Sequence, residues 1–104
     1  MENINEGATA VITVDFKDED GDGVTPSSAS YILYDKFSGV ERIADDIDSL
    51  AESVDVVISG DNNNILDENN KYEIAVLFVE FTYNGGSKVG NGEYSYKIIN
   101  MAKV

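Results

Sequence analysis

The longest strand-forming stretch of this chain reads Tyr72-Glu73-Ile74-Ala75-Val76-Leu77-Phe78-Val79-Glu80-Phe81-Thr82-Tyr83. Every position from Ile74 to Val79 is apolar, and β-branched and aromatic residues dominate the segment. A half-buried strand alternates between apolar and polar residues, whereas a run that is apolar on both faces indicates a strand inside a sheet. We therefore predict a central strand over Tyr72–Tyr83.

Further strand-like segments surround this central strand. Apolar alternation predicts them at Ala8–Lys17, Ala29–Lys36, Val40–Ala44, Val54–Ser59 and Glu93–Asn100, with a short additional strand within Met1–Glu6. The glycine-rich segment Asn84–Gly92 is predicted to be a long hairpin loop. Over Ala44–Ser53 the apolar residues are spaced as on one helix face, which predicts one or two helical turns.

The length of the chain allows one domain, residues 1–104, and its 42% hydrophobic content is that of a globular protein. No apolar run approaches the ~20 residues that a membrane span requires. The segment Met1–Glu6 lacks the basic and apolar regions of a secretory signal. We expect a protein that stays where it is made, with a piece cut from a longer exported chain as the alternative.

The charge and the missing residue types exclude several function classes. Twenty acidic residues against seven basic ones give a net charge of −13, which repels phosphate backbones and anionic membranes. Cysteine, histidine and tryptophan are absent, so disulfides, thiol nucleophiles and imidazole-based triads are excluded. We predict a protein without enzymatic activity or cofactor, with neither nucleic acid nor membrane as a partner.

The segment Leu66-Asp67-Glu68-Asn69-Asn70-Lys71-Tyr72 leads directly into the central strand. It resembles the leucine–tyrosine corner of fibronectin type III domains. The resemblance implies an all-β, immunoglobulin-like (fibronectin type III-like) two-sheet β-sandwich. It also implies that Leu66 closes one end of the core and that the Tyr72 hydroxyl bonds back to the turn backbone. The chain lacks the usual core tryptophan, so Phe16 or Val14 must fill its space.

A second resemblance concerns both ends of the chain. The segments Ala10–Phe16, Lys17–Gly21, Val24–Tyr31, Tyr83–Gly86 and Glu93–Asn100 together resemble small immunoglobulin-like proteins of tailed bacteriophages. This implies a virion or assembly component, located in the virion or the host cytoplasm, with other virion proteins as partners. Homo-oligomerisation stays open. The alternative is a cell-surface or secreted adhesion or carbohydrate-binding module, extracellular and cut from a longer chain.

The residues Asp18, Asp20, Asp22 and Gly23 match the first half of a calcium-binding loop. Ala29 stands where such a loop places its bidentate glutamate, so the match is incomplete. The two interpretations are a calcium site completed by another loop and a solvated acidic turn.

Loops carry recognition on sandwich scaffolds. The fibronectin-like topology implies that the loops Asp18–Gly23 and Asn84–Gly92 share one end of the molecule. We therefore predict that this end binds a partner and that Lys88 pairs across with the acids. The predicted partner-binding residues are Asp18, Asp20, Asp22, Asn84, Lys88 and Asn91.

Overall fold

The computed structural model describes residues 1–103. They form seven strands: β1 (Glu2–Asn5), β2 (Ala10–Asp15), β3 (Ser28–Asp35), β4 (Glu41–Asp46), β5 (Ser53–Ile58), β6 (Tyr72–Tyr83) and β7 (Lys88–Ile99). Short 3₁₀ turns occur at Gly60–Asn62 and Met101–Lys103, and residues 1–103 contain no α-helix. The prediction of a mainly-β chain is confirmed. None of the described residues belongs to a helix with the length and apolarity that crossing a membrane requires.

The strands form two sheets. A mixed five-stranded sheet has the order β1-β7-β6-β3-β4, and a two-stranded sheet pairs β2 with β5. Among the ladders of residues 1–103, the β1–β7 pairing alone is parallel and the others are antiparallel. Strand β6 lies in the middle of the larger sheet, as its continuous apolar run predicts.

The core lies between these two sheets, since residues from both sheets form one buried apolar cluster. Phe16, just after β2, is fully buried and packs edge-on against Phe81 of β6, with ring centroids 4.9 Å apart. Val14 is buried as well. Both residues named as replacements for the missing tryptophan therefore fill the core.

The predicted helical turns over Ala44–Ser53 are wrong. Strand β4 continues to Asp46, and an irregular loop then leads to β5. The backbone N–H of Ile47 bonds to the carbonyl of Ala29 at 2.9 Å, which holds the start of the loop against β3. Ile47 and Leu50 are half-buried against the core from this extended backbone. Their helix-like spacing thus reflects two separate contacts of a loop with the core.

The predicted long loop Asn84–Gly92 is only partly a loop. The turn is short, with left-handed backbone angles at Asn84 (φ 54°), Gly85 (66°) and Gly86 (90°), and β7 begins at Lys88. Gly90 lies opposite Phe81 in the β6–β7 ladder, and a β-carbon at Gly90 would overlap the Phe81 ring. This glycine therefore makes room for an aromatic side chain inside a strand.

Candidate contact surfaces

The acidic segment between β2 and β3 is a tight turn. An isolated bridge joins Lys17 to Gly23, and the N–H of Asp18 bonds to the carbonyl of Asp22 at 2.9 Å. Oδ1 of Asp18 accepts the N–H groups of Asp20 and Asp22 at 2.9 and 3.0 Å. The Asp18 carboxylate thus organises the turn, as short acidic side chains commonly do.

The same geometry bears on the predicted calcium site. Within residues 1–103 no three carboxylates lie close enough together to hold a metal ion. Asp18, Asp20 and Asp22 follow one another in the turn without converging, whereas Ca²⁺ requires six to eight oxygen ligands around one point. The interpretation as a solvated acidic turn is the one that this structure supports.

Glu19 connects the acidic turn to the β6–β7 hairpin. Its Oε2 accepts the Tyr83 hydroxyl at 2.6 Å, and its Oε1 accepts the Lys88 ammonium at 2.8 Å. The two loops therefore meet at one end of the molecule, as the sequence analysis predicts. The acid that pairs with Lys88 is Glu19, which the sequence analysis did not single out.

The charges in this contact reinforce one another. The hydrogen bond from Lys88, followed by that from Tyr83, lowers the pKa of Glu19. The same contacts raise the pKa of Tyr83 and of Lys88, in both cases chiefly through the hydrogen bond to Glu19. At neutral pH the site therefore holds a carboxylate, a neutral phenol and an ammonium group.

The remaining predicted contact residues lie in two places. Asn84 is in the hairpin turn, close to Lys88 in sequence. Asn91 lies within β7 opposite Glu80, so it belongs to a strand rather than to the predicted loop. We call Asp18–Asp22 together with Asn84–Lys88 the acidic end; Asn91 is outside it.

The predicted leucine–tyrosine corner is wrong in its two named residues. Leu66 is 49% exposed and closes no core, and Tyr72 is 40% exposed. Tyr72 occupies the first position of β6, on the face turned away from the core. Its ring packs near Phe37, with centroids 6.1 Å apart, and beneath the ammonium of Lys97 at 4.3 Å.

Glu73 performs the role expected of Tyr72. Its buried carboxylate accepts the backbone N–H groups of Leu66 and Asp67 at 2.8 and 2.9 Å and the Asn70 amide at 3.0 Å. Arg42 completes the site with an ion pair at 2.9 Å. Glu73 is one residue further along β6, on the core-facing side of the strand, and this shift follows from the two-residue period of a strand. The alternation of Glu73 with Ala75 and Leu77 is the signal that sequence reasoning missed.

A shallow groove of about 500 Å³ lies beside this corner, and exposed Phe37, Val40 and Leu66 line it. Two buried carboxylates, of Asp35 and Glu73, also border the groove. Both are already occupied, since Asp35 accepts two hydrogen bonds from Ser38 and one from Arg42 at 3.4 Å. The exposed carboxylate of Asp67 also lines the groove, and its Oδ1 accepts the backbone N–H of Asn69 at 3.0 Å. The groove therefore offers a ligand apolar contact beside one exposed acid.

Taken together, the strands and their shared core define a small β-rich domain of two sheets. No family model, curated protein or solved structure matches this chain.

Proposed function

We propose that this protein is a non-catalytic structural and interaction module of the immunoglobulin-like, fibronectin type III-like kind. It serves as a virion or assembly component of a tailed phage or prophage, and its partners are other virion proteins. The acidic end is the surface through which it binds them.

The strand order supports the immunoglobulin-like assignment. In that fold the third, sixth and seventh strands of the basic set lie side by side, and the second and fifth pair in the opposite sheet. Strands β3, β6 and β7 are neighbours here, and β2 pairs with β5. A short extra strand, β4, extends the larger sheet beside β3, as in the variable-type sandwich.

The observation that carries the proposed contact is the bridge formed by Glu19. Tyr83 is buried in the core, so its hydrogen bond to Glu19 anchors the acidic turn to the rigid sandwich. Lys88 holds the same carboxylate from the hairpin side. Binding to loops that are already fixed costs less ordering entropy than binding to free ones. Acidic side chains presented in this way favour a basic protein surface as the partner.

The virion assignment draws on the sequence resemblance to small phage proteins over Ala10–Phe16 and Glu93–Asn100. The net charge of −13 also fits a protein whose contacts are with basic protein surfaces rather than with packaged nucleic acid.

The test uses particles from a host that carries the gene, purified by density gradient and analysed by quantitative mass spectrometry. The chain should be present at a fixed ratio to the major structural protein. Replacing Asp18, Asp20 and Asp22 by Asn should lower that ratio at least severalfold. Asparagine retains the Oδ1 acceptor of Asp18, so the turn itself is preserved.

The matched control replaces Asp55, Asp61 and Asp67 by Asn, since all three are exposed and lie outside the acidic end. This variant has the same net charge as the first and should enter particles like the unmodified chain. Particles without the chain would contradict the virion assignment. Equal loss with both variants would contradict the acidic end as the contact surface.

A further inference from the structure

The centre of the five-stranded sheet, on β3 and β6, is apolar on both faces. Along β6, Ala75, Leu77 and Val79 belong to the core, so alternation turns Ile74, Val76 and Phe78 to the opposite face. The ladder with β3 places Ile32 beside Phe78 and Tyr34 beside Val76. We call this surface the outer face; its apolar residues are Ile32, Tyr34, Ile74, Val76 and Phe78.

The outer face forms an apolar cluster of its own. None of its five apolar residues belongs to the buried cluster between the two sheets or to the partly buried residues packed against that cluster. Val76 is nevertheless only 3% exposed, while Ile32 is 43% exposed at its margin. An antiparallel sheet with one face in water normally carries polar residues there. Exposed Ile32 and half-buried Tyr34, Ile74 and Phe78 leave apolar surface here on a highly charged protein. Such surface is typical of a protein–protein contact.

The charges on the outer face are segregated along the strands. Glu80 and Asp46 both pair with Ser30, and Glu93 pairs with Phe78. These three acids therefore lie on the side of Val76 that is nearer the hairpin turn. Lys36 and Lys97 lie toward the other end, in the row of Ile74. Acids therefore flank the apolar centre on one side and lysines on the other, while Glu41 lies at the β4 edge beside Tyr34.

We propose that the outer face binds the outer face of a second copy of this chain in a two-fold symmetric dimer. A two-fold contact joins the same patch on both copies, so the patch must be complementary to itself. Let the two-fold axis lie parallel to the sheet, perpendicular to the strands and above Val76. Glu93 of each copy then lies over Lys97 of the other. The same operation stacks Phe78 on Ile74. Glu41, in the Val76 row at the β4 edge, then faces Glu41 of the other copy.

The segregated charges favour a second copy over a basic partner. A basic protein would place like charge against Lys97, whereas the two-fold contact places Glu93 there. The overall repulsion between two copies acts over a longer range, and physiological salt screens it beyond about 8 Å. The apolar contact and the close charge pairs are screened much less.

The test is sedimentation equilibrium of the full chain across concentration, at physiological ionic strength. We expect a monomer–dimer equilibrium that Ile32→Thr weakens by about tenfold or more. The matched control is Val57→Thr, at a 60% exposed position on the outward side of the two-stranded sheet. This control makes the same kind of change on a β-strand, and it should leave the equilibrium unchanged.

A charge exchange provides an independent readout. Lys97→Glu and Glu93→Lys should each weaken the dimer, and the double variant should restore it to near the original dissociation constant. Thermal unfolding of each variant confirms that it remains folded. A chain that stays monomeric at millimolar concentration overturns the proposal. So does a dimer that Ile32→Thr and Val57→Thr weaken equally, or a double variant weaker than either single one.

Discussion

The hydroxyl of Tyr96 donates a hydrogen bond to Oδ1 of Asn63 at 2.5 Å, and both residues are buried. The side-chain amide of Asn63 in turn donates to the backbone carbonyl of Ala8 at 2.8 Å. The backbone carbonyl of Asn63 accepts the N–H of Gly7 at 2.9 Å. One buried asparagine thus joins β7 to the segment that precedes β2. Because a buried polar group without a partner is costly, this pair links the two sheets specifically.

We predict that Tyr96→Phe lowers the free energy of unfolding by roughly 1–3 kcal/mol, because it leaves the buried Oδ1 of Asn63 without its donor. Tyr94→Phe is the matched control on the same strand, since its hydroxyl makes only long, exposed contacts with Asp15 at 3.2 and 3.4 Å. Urea unfolding of both variants measures the difference. Equal losses of unfolding free energy in the two variants would show that the hydrogen bond from Tyr96 to Asn63 contributes no more than the exposed contacts of Tyr94.

The same tyrosine predicts a loss of stability at high pH. Burial raises the pKa of Tyr96 to about 12. Between roughly pH 10 and pH 12 the unfolded chain therefore loses its phenolic proton while the folded chain keeps it, so the free energy of unfolding falls as pH rises. For the full shift this amounts to about 3 kcal/mol. Urea unfolding over that pH range should show that the free energy of unfolding falls less steeply with pH in Tyr96→Phe than in the unmodified chain. The same steepness in both would contradict the shifted pKa.

The corner built by Glu73 predicts opposite outcomes for two adjacent residues. Glu73→Gln should destabilise the protein by about 3–5 kcal/mol, because it removes the charge that pairs with buried Arg42. It also replaces one carboxylate oxygen, which accepts backbone N–H groups such as that of Leu66, by an amide nitrogen that can only donate. Tyr72→Phe should change stability by less than about 0.5 kcal/mol, since its exposed hydroxyl has no hydrogen bond within residues 1–103. Thermal or urea unfolding measures the loss of stability in both variants. A large loss from Tyr72→Phe would reinstate the leucine–tyrosine corner.

The close approach of Phe81 to Gly90 makes this glycine sensitive to substitution. Gly90→Ala should cost roughly 1–3 kcal/mol, because the added methyl overlaps the Phe81 ring and displaces it from Phe16. Gly92→Ala is the control, since its methyl would lie 3.4 Å from the nearest atom of Tyr94. It should be nearly neutral in urea unfolding. If the two variants lose the same stability, the ring does not occupy the space above Gly90.

The bridge at the acidic end can be followed by the titration of a single carboxylate. NMR should show Glu19 titrating below the ordinary range for glutamate, because Lys88 and Tyr83 both bond to its ionised form. Its contribution to stability is therefore present at neutral pH and is lost as pH falls through this lowered pKa. Lys88→Met should move the titration of Glu19 upward, toward its usual value. An unchanged titration in that variant would contradict the ion pair.

The strand positions were predictable because the two-residue period is strong in this chain. The apolar run Ile74–Val79 predicts the central strand, and the aspartate- and glycine-rich segment Asp18–Gly23 separates β2 from β3. What alternation could not distinguish is whether the second apolar face of β6 is covered. A continuous apolar run suits a strand buried on both sides. Here β6 packs against the second sheet on one side, and no further sheet within residues 1–103 covers its outer face.

The errors at the candidate site have identifiable physical causes. Tyr72 matches a family motif by residue type, but its position in the strand turns it outward and turns Glu73 inward. The glycines of Asn84–Gly92 indicate a loop by composition, whereas Gly90 serves the packing of Phe81. Glu19 was not singled out because its importance depends on Tyr83 and Lys88, more than sixty residues away.

The most direct test of the proposed contact uses carbodiimide cross-linking of purified particles, followed by mass spectrometry. The reagent joins carboxylates to nearby lysines, so a basic partner surface seated on the acidic end should be coupled to Asp18, Asp20 or Asp22. We expect these cross-links to another virion protein. Particles in which the chain is coupled to its neighbours only through other carboxylates would contradict the acidic end as the binding surface.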